Sequence, residues 1–429
     1  MQIEEIYSIF RESKGITTDT RKVGLGQLFF ALKGEKFNAN DFAEKALAAG
    51  ALYAIVDEIE HAQNPQCILV DNVLETLQKL ANYHRKTFDI PIIGLTGSNG
   101  KTTNKELLTR VLSKKYKVHA TIGNLNNHIG VPLTLLEMPF DAEIAVIEMG
   151  ANHQKEIAML SAICEPNYGF ITNLGKAHLE GFGGVEGVRK GKGELYDFLK
   201  NSNGTTFVNQ SDEALLSLTQ EKKMMLVVYY GNNEFSLKMI GDSPTVTFST
   251  PESDLVYTTH IGGKYNFDNM QTVFAIGKYF GINDKDAAEA IAAYNPDNNR
   301  SQAIEKGRNL FLMDAYNANP SSMAAAVNNF GSLQTERQKV VILGDMFEMG
   351  EYSQMEHEVL GKLVAEKDFD NVVLYGENMK HALVHLPSAF YFTDKFSLHN
   401  WLIDKAFQNT YFLVKGSRGV GLESVLGVM

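Results

Sequence analysis

Gly94-Leu95-Thr96-Gly97-Ser98-Asn99-Gly100-Lys101-Thr102-Thr103 is the stretch on which the reading of this chain turns. Residues 92–95 before it form a short apolar run, and after it Leu107, Leu108, Val111 and Leu112 recur at helical spacing. Strand, glycine-rich loop and helix make the context in which successive backbone N–H groups can wrap phosphate oxygens, while the helix start adds partial positive charge. The expectation is an ATP site across Thr96, Gly97, Ser98, Asn99, Gly100, Lys101, Thr102 and Thr103. Lys101, read as an exposed loop lysine, would reach the β and γ phosphates; the Thr102 hydroxyl would face Mg²⁺ with Thr103 nearby. A glycine turn with a chance Lys-Thr is the competing account, and the flanking strand and helix argue against it.

Outward from this loop, apolar runs at 92–95, 144–147, 170–172 and 206–208 predict buried strands. Runs apolar on both faces suit a parallel sheet covered by helices. Up to residue 88 the runs are shorter (28–32, 54–56, 68–70), with helix-like pieces at 41–49 and 74–84, which predicts a small α/β domain. Pro296-Asp297-Asn298-Asn299-Arg300 is polar, opens with a turn-former and reads as a linker. Beyond it, runs at 310–313, 340–343, 372–375, 390–392 and 411–414 alternate with helical pattern, as in a doubly wound sheet. The expected fold is therefore α/β in three domains. They are a small N-terminal domain (1–88), a central phosphate-loop domain with a parallel sheet (89–298) and a C-terminal Rossmann-like, doubly wound domain (299–429).

Composition agrees with several domains, since 429 residues with 44% hydrophobic content exceed what one core holds. Lys plus Arg number 40 against 51 Asp plus Glu, a formal net charge of −11 that disfavours broad nucleic-acid binding but leaves room for a local basic cleft. Cys67 and Cys164 are far apart and read as small core fillers of a chain kept in a reducing compartment. The start of the chain has no basic segment, and nothing approaches the run of about 20 apolar residues that a membrane helix requires. The expectation is a complete cytoplasmic protein without a membrane span.

A phosphate-bound magnesium needs further oxygen ligands, and Glu148, at the end of the 144–147 run, fits the carboxylate that a neighbouring strand would supply. A carboxylate capping a strand end is the alternative. His178 follows the 170–172 run by a short glycine-containing loop and can lie at the same sheet edge. Lys192, in Arg189-Lys190-Gly191-Lys192, reads from pattern alone as a solvated helix charge.

The loop 96–103 resembles that of the ATP-dependent Mur ligases of peptidoglycan synthesis. So do Gly123-Asn124-Leu125-Asn126-Asn127-His128-Ile129-Gly130-Val131-Pro132, Glu148-Met149-Gly150-Ala151-Asn152-His153 and residues 177–183. Asp314-Ala315-Tyr316-Asn317-Ala318-Asn319-Pro320, Gly344-Asp345-Met346 and Lys415-Gly416-Ser417-Arg418 are similar to the branch that adds a dipeptide. Thr18-Asp19-Thr20-Arg21 and Phe29-Phe30-Ala31-Leu32-Lys33-Gly34 resemble the family's nucleotide-sugar domain, so the likeness spans nearly the whole chain.

The resemblance implies ATP-dependent ligation of D-alanyl-D-alanine to the terminal carboxylate of UDP-N-acetylmuramoyl-tripeptide, through an acyl phosphate. It implies that Thr102 and Glu148 hold one magnesium ion, and that Glu148, His178 and a carbamylated Lys192 serve a second, with Lys190 close enough to compete for that part. Lys101, Glu148, His178 and Lys192 form the implied catalytic set. Asn266 and Asn269 match the family's adenine-side motif, and Arg300 and Asp314 match groups that approach phosphates and ribose when the C-terminal domain closes. Unaided, Arg300 reads as a linker charge and Asp314 as a strand-end cap. Asn126, Asn127, Asn317, Asn319, Lys415, Ser417 and Arg418 are implied to face the dipeptide or acceptor, with turn chemistry as the alternative for the asparagines. Thr20, Arg21, Lys33 and Gly34 are implied at the UDP end. The protein is expected to act as a monomer that closes on its ligands. A sister ligase, a folate polyglutamate ligase and an ATP-binding switch share the loop; the motif at 18–21 and the run at 124–127 argue against the folate ligase, and the acceptor-side loops at 314–320 and 415–418 against the switch.

Overall fold

The computed structural model describes residues 1–242, 244–296 and 300–429. Residues 297–299, the middle of the expected linker, lie outside the described residues, and so does the boundary drawn between 298 and 299.

The first sheet has four parallel strands in the order Ile16–Thr17, Leu28–Phe30, Tyr53–Val56, Cys67–Leu69. The chain leaves it through the helix Val73–Lys86, which buries Val73, Leu77, Leu80 and Ala81 on one face, as 3.6-residue periodicity requires. Asn72 starts that helix by accepting from the Glu75 N–H, and at its other end the Arg85 guanidinium donates to the carbonyls of Cys164 and Glu165 in the central domain.

Six parallel strands form the central sheet, in the order Val227–Tyr230, Thr205–Asn209, Tyr168–Ile171, Ile92–Thr96, Ile144–Glu148, Val118–Ala120. Every residue of Ile92–Thr96 and Ile144–Glu148 is buried, the expected consequence of helices on both faces. Register pairs Leu95 with Glu148 and Thr96 with Ile171, so three strands end level at one carboxyl edge. In open α/β sheets that edge is where ligands bind.

The C-terminal sheet runs Gln302–Lys306, Asn309–Asp314, Thr410–Lys415, Gln338–Gly344, Asn371–Tyr375, Phe390–Phe392. Its first pair is antiparallel and the others are parallel. Asp314 pairs with Lys415, which brings the two acceptor-side loops together at its carboxyl edge.

Several elements escape the pattern reading: Val118–Ala120, Val227–Tyr230, Gln302–Lys306, and an antiparallel sheet of Lys238–Gly241, Thr247–Thr250 and Ser253–Thr258. Val118–Ala120 and Gln302–Lys306 are short edge strands without a continuous apolar run, whereas Val227–Tyr230 ends the apolar run 224–230, which the pattern reading passes over. The run expected at 170–172 ends at Ile171, because Thr172 leaves the sheet to bond the phosphate loop. Among the described residues no helix is long and apolar enough to cross a membrane. Both cysteines are free thiols; Cys164 is buried, as a core filler should be, and burial pushes its thiol up to about 12, whereas Cys67 is half-buried.

His84 joins the first two domains. Its ring packs against Phe10, Phe88 and Phe140, and Nδ1 lies 3.1 Å from the Tyr7 hydroxyl. Burial lowers its pKa from 6.5 to about 4, against an opposing pull from the Met138 carbonyl. The folded imidazole thus stays neutral where the unfolded chain takes up a proton, so its contribution is complete above pH 6.5 and declines as pH falls toward about 4. In thermal melts, His84→Gln should flatten the loss of stability across that window; an unchanged slope would contradict the assignment.

Candidate active site

The phosphate loop leaves the sheet at Thr96 and turns sharply at two glycines. Gly97 has φ +148°, and a Cβ there would fall 1.9 Å from Thr172 Oγ1; Gly100 has φ +77°, and a Cβ there would fall 2.5 Å from Asn269 Oδ1. The loop is tied to the end of the adjacent strand. Asn99 N–H donates to Asn173 Oδ1 at 3.0 Å, the Asn99 carbonyl accepts from the Thr172 hydroxyl at 2.6 Å, and the Ser98 hydroxyl donates to Gly175 O at 2.8 Å. The helix Lys101–Leu112 then starts with its N-terminus toward the cleft.

Lys101 corrects an expectation, for it is half-buried rather than an exposed loop lysine. Its ammonium curls back to donate to the carbonyls of Gly97 at 2.8 Å and Ser98 at 3.3 Å. Burial lowers its pKa; Glu148 opposes that shift and Arg300 adds to it.

Glu148 is 1% exposed at the strand end. Its Oε1 accepts from the Thr102 hydroxyl at 3.2 Å and from Asn126 Nδ2 at 2.8 Å, while its Oε2 is buried without a hydrogen-bond partner among the described residues. A buried carboxylate oxygen left bare is costly. A hard divalent cation before it, with the Thr102 hydroxyl as neighbour, would remove that cost, so the donor set fits magnesium.

His178 lines the same cleft, held in left-handed backbone conformation at φ +52°, and its Nδ1 meets Glu348 of the C-terminal domain. Lys192 overturns its reading as a solvated helix charge. It is completely buried on the helix Val185–Asn201, donates to the Ala151 carbonyl at 3.0 Å and lies over the Phe182 ring at 4.9 Å, whereas Lys190 is exposed. Burial, reinforced by Lys101, pushes its pKa well below the usual lysine range and favours the neutral amine. Among the described residues a group of His, Cys, Asp and Glu side chains close enough together to hold a metal ion is Glu58, Glu60 and His61, which lies outside this cleft.

A cleft of about 930 Å³, lined by Lys101, Thr102, Glu148 and His178 but not by Lys192, opens between the central and C-terminal domains. Thr103 is on its wall, as are the largely buried Asn266 and Asn269 of the helix Lys264–Tyr279; Asn269 Oδ1 accepts from Asn104 Nδ2 at 2.7 Å. On the opposite side the Arg300 guanidinium stacks 3.7 Å over Tyr316, with Nε buried and unpartnered among the described residues. Asp314 accepts from Ser301 N–H at 3.2 Å and from Lys415 Nζ at 2.6 Å. Asn319 caps the helix Pro320–Ser332 and also donates to Asn99 Oδ1 at 2.8 Å, bringing the C-terminal domain onto the phosphate loop.

Asn127 and Asn317 line the cleft while also making turn bonds, Asn127 to the N–H groups of Ile129 and Gly130, Asn317 to that of Ala318. Ser417 and Arg418 stand behind the cleft wall: Ser417 accepts from Phe347 N–H at 2.9 Å, and Arg418 lies 5.0 Å over Tyr316. Thr20, Arg21, Lys33 and Gly34 are also outside this cleft, beyond the carboxyl ends of the first sheet's strands, the first two in the short helical turn Thr20–Lys22 and the others in the short strand Lys33–Gly34. The two cations there already have partners, Arg21 with Asp19 at 2.8 Å, and Lys33 with Asp57 at 2.9 Å and Glu58 at 2.8 Å. Asn173, Ser321 and Glu348 were missed by sequence reading. Asn173 follows a predicted strand, a usable signal; the others matter only through contacts between domains.

Family models match in three consecutive blocks: the Mur ligase family catalytic domain over residues 12–87, the Mur ligase middle domain over 95–277, and the Mur ligase glutamate ligase domain over 299–418. The UDP-N-acetylmuramoyl-tripeptide–D-alanyl-D-alanine ligase of Bacillus subtilis is 35% identical over 422 residues, 96% of this chain and 92% of the relative. That of Escherichia coli is 34% identical over 421 residues, with the same coverage of 96% and 92%. Among solved structures, a crystal structure of MurF from Acinetobacter baumannii superposes with a TM-score of 0.88 at 31% identity, covering 98% of this chain and 97% of that one. MurF from Thermotoga maritima in complex with ADP gives 0.86 at 26% identity, with the same coverage of 98% and 97%.

Gly100→Ala forces a methyl group against the Asn269 amide at a positive φ, deforming the loop without touching a core. Affinity for a non-hydrolysable ATP analogue, read by calorimetry, should fall at least about tenfold (about 1.4 kcal/mol) with melting nearly unchanged. Retained affinity would contradict the loop's assignment.

Proposed function

The chain belongs to the Mur ligase family, and we propose that it joins D-alanyl-D-alanine to the terminal carboxylate of UDP-N-acetylmuramoyl-tripeptide, converting ATP to ADP and phosphate. The observation that carries this reading is the convergence, on one cleft, of the phosphate loop, Glu148 and the acceptor-side residues Asp314 to Asn319. Similarity to dipeptide-adding ligases over 96% of the chain supports the choice within the family.

A carboxylate is a poor acyl donor. In the reaction proposed here its oxygen attacks the γ-phosphorus, the bond to ADP breaks, and an acyl phosphate forms. The dipeptide amine then attacks the acyl carbon, loses a proton, and expels phosphate that carries the former carboxylate oxygen. Two anions must meet in the first step, and the residues present suit that problem. Lys101 supplies charge beside the loop, loop N–H groups and the helix start face the phosphates, and Arg300 approaches from the opposite wall. Thr102 and Glu148 would hold one magnesium ion and His178 would help to hold a second; bound there, magnesium neutralises charge on the phosphates. Lys192, buried and favoured as a neutral amine, is suited to add carbon dioxide with loss of a proton, giving a carbamate that turns a cationic side chain into an anionic oxygen donor.

Asn266 and Asn269 serve the adenine side, and Arg300 and Asp314 the phosphates and ribose. Asn126, Asn127, Asn317, Asn319 and Lys415 face acceptor or dipeptide, and Ser417 and Arg418 support that wall from behind. Residues 1–88 take the UDP end, through the carboxyl-edge segments that carry Thr20, Arg21, Lys33 and Gly34. For a diphosphate to bind there, Arg21 and Lys33 would have to share or exchange their carboxylate partners. Residues 89–298 hold ATP and residues 299–429 the dipeptide. We place the reaction in the cytoplasm and assign it to a monomer.

Purified protein should release ADP only when UDP-N-acetylmuramoyl-tripeptide and D-Ala-D-Ala are both present. Turnover with a single amino acid in place of the dipeptide would overturn the reading. For Lys192, an alanine variant should lose activity and regain part of it with a short carboxylic acid; full activity without the acid would remove Lys192 from the site.

A further inference from the structure

The segment after the strand Tyr168–Ile171 is gripped from two sides. Toward the phosphate loop, Gly175 exchanges bonds with Ser98: its carbonyl accepts from the Ser98 hydroxyl at 2.8 Å and its N–H donates back at 3.0 Å. Toward the C-terminal domain, Lys176 N–H donates to Ser321 Oγ at 2.7 Å, Glu180 N–H donates to the Glu348 carbonyl at 3.2 Å, and His178 meets the Glu348 carboxylate. An ion pair crosses the same boundary, Lys176 Nζ with Glu356 Oε1 at 2.6 Å, between residues 180 positions apart. The Glu356 side chain, on the helix Ser353–Ala365, is 2% exposed, and that of Lys176 is 43% exposed.

Exposed ion pairs contribute little, but an anion buried to this extent is expensive to leave without its partner. Separating the domains would break this pair. The loop it seizes is bonded to Ser98, so the pull of the C-terminal domain reaches the phosphate loop through two hydrogen bonds. On the same boundary Asn319 meets Asn99, and Arg300 enters the cleft.

We propose that Lys176 and Glu356 are a positioning pair for the ligation, holding the C-terminal domain against the 175–180 loop and so setting the closed geometry in which both halves of the cleft act on the same substrates. Neither group touches the reacting atoms; they act through Asn319, Arg300 and the phosphate loop. The inference rests on the function proposed above.

The test is a double-mutant cycle of Lys176→Met, Glu356→Gln and the double variant. Three readouts are needed: kcat and KM for D-Ala-D-Ala, compaction by small-angle scattering on adding a non-hydrolysable ATP analogue with UDP-N-acetylmuramoyl-tripeptide, and affinity for the analogue alone. Each single variant should lose at least about tenfold in kcat/KM for the dipeptide and compact less, the double should be no worse than the weaker single, and affinity for the analogue alone should hold. Unchanged kcat/KM and compaction in Lys176→Met would overturn the proposal, as would losses that multiply in the double. A fall in melting temperature with normal compaction would overturn it too, because it would mark a merely structural pair. Should Glu356→Gln fail to fold, Lys176→Met decides alone, since its half-exposed side chain supports no core. A wild-type protein that ligates nothing contradicts the proposed function; wild-type turnover with indifferent variants contradicts only the pair.

Discussion

One oxygen of Glu148 accepts two hydrogen bonds, from Thr102 and Asn126, and the other is buried without a hydrogen-bond partner among the described residues. Much of the architecture keeps that carboxylate where it is. The strand Ile144–Glu148 is buried along its length, pairs Glu148 with Leu95 of the neighbouring strand and so ends level with the start of the phosphate loop. Thr102 sits at the head of the helix that the loop feeds, and Asn126 comes from the asparagine-rich segment beyond the next strand. A cation-hungry oxygen is thereby built into a rigid sheet edge, within reach of the groups that face phosphates. A metal bound there would offset the cost of burying it and would couple order in the site to ligand.

The rest of the site is held more loosely, across a domain boundary. Arg300, Asp314, Asn319 and Lys415 belong to the C-terminal sheet and its loops, and they reach the nucleotide side only through contacts such as Asn319 with Asn99 and Tyr265 with Ser301. In the proposed reaction nucleotide, acceptor and dipeptide all enter this cleft, and a domain motion that admits them would break and re-form these contacts. Polar pairs suit that cycle better than an apolar interface, because they tolerate water when apart.

What could be read from the sequence follows from locality. The phosphate loop is a strand, a turn and a helix in consecutive residues, and its glycines are required by contacts with Thr172 and Asn269 that the pattern foreshadows without naming. Glu148 was legible as the polar end of an apolar run. Lys192 was not: a lysine between two glycines on a helix carries no mark of burial, which depends on Phe182 and Ala151 closing over it. Without the family resemblance, Arg300 and Asp314 would have stayed a linker charge and a strand cap, since their roles need the C-terminal domain in place. The edge strand Gln302–Lys306 was missed because a half-exposed strand alternates its residues and leaves no run to see, and the three-stranded antiparallel sheet because its strands carry only brief apolar stretches among Lys, Ser, Thr and Gly.

The central claim is that this cleft brings the acceptor carboxylate onto the γ-phosphate of ATP before the amine attacks. Its most direct test uses UDP-N-acetylmuramoyl-tripeptide labelled with oxygen-18 in the terminal carboxylate, with mass analysis of the phosphate released on ligation. An acyl phosphate requires one labelled oxygen in each phosphate formed from fully labelled acceptor. Unlabelled phosphate accompanying full product formation would contradict the account.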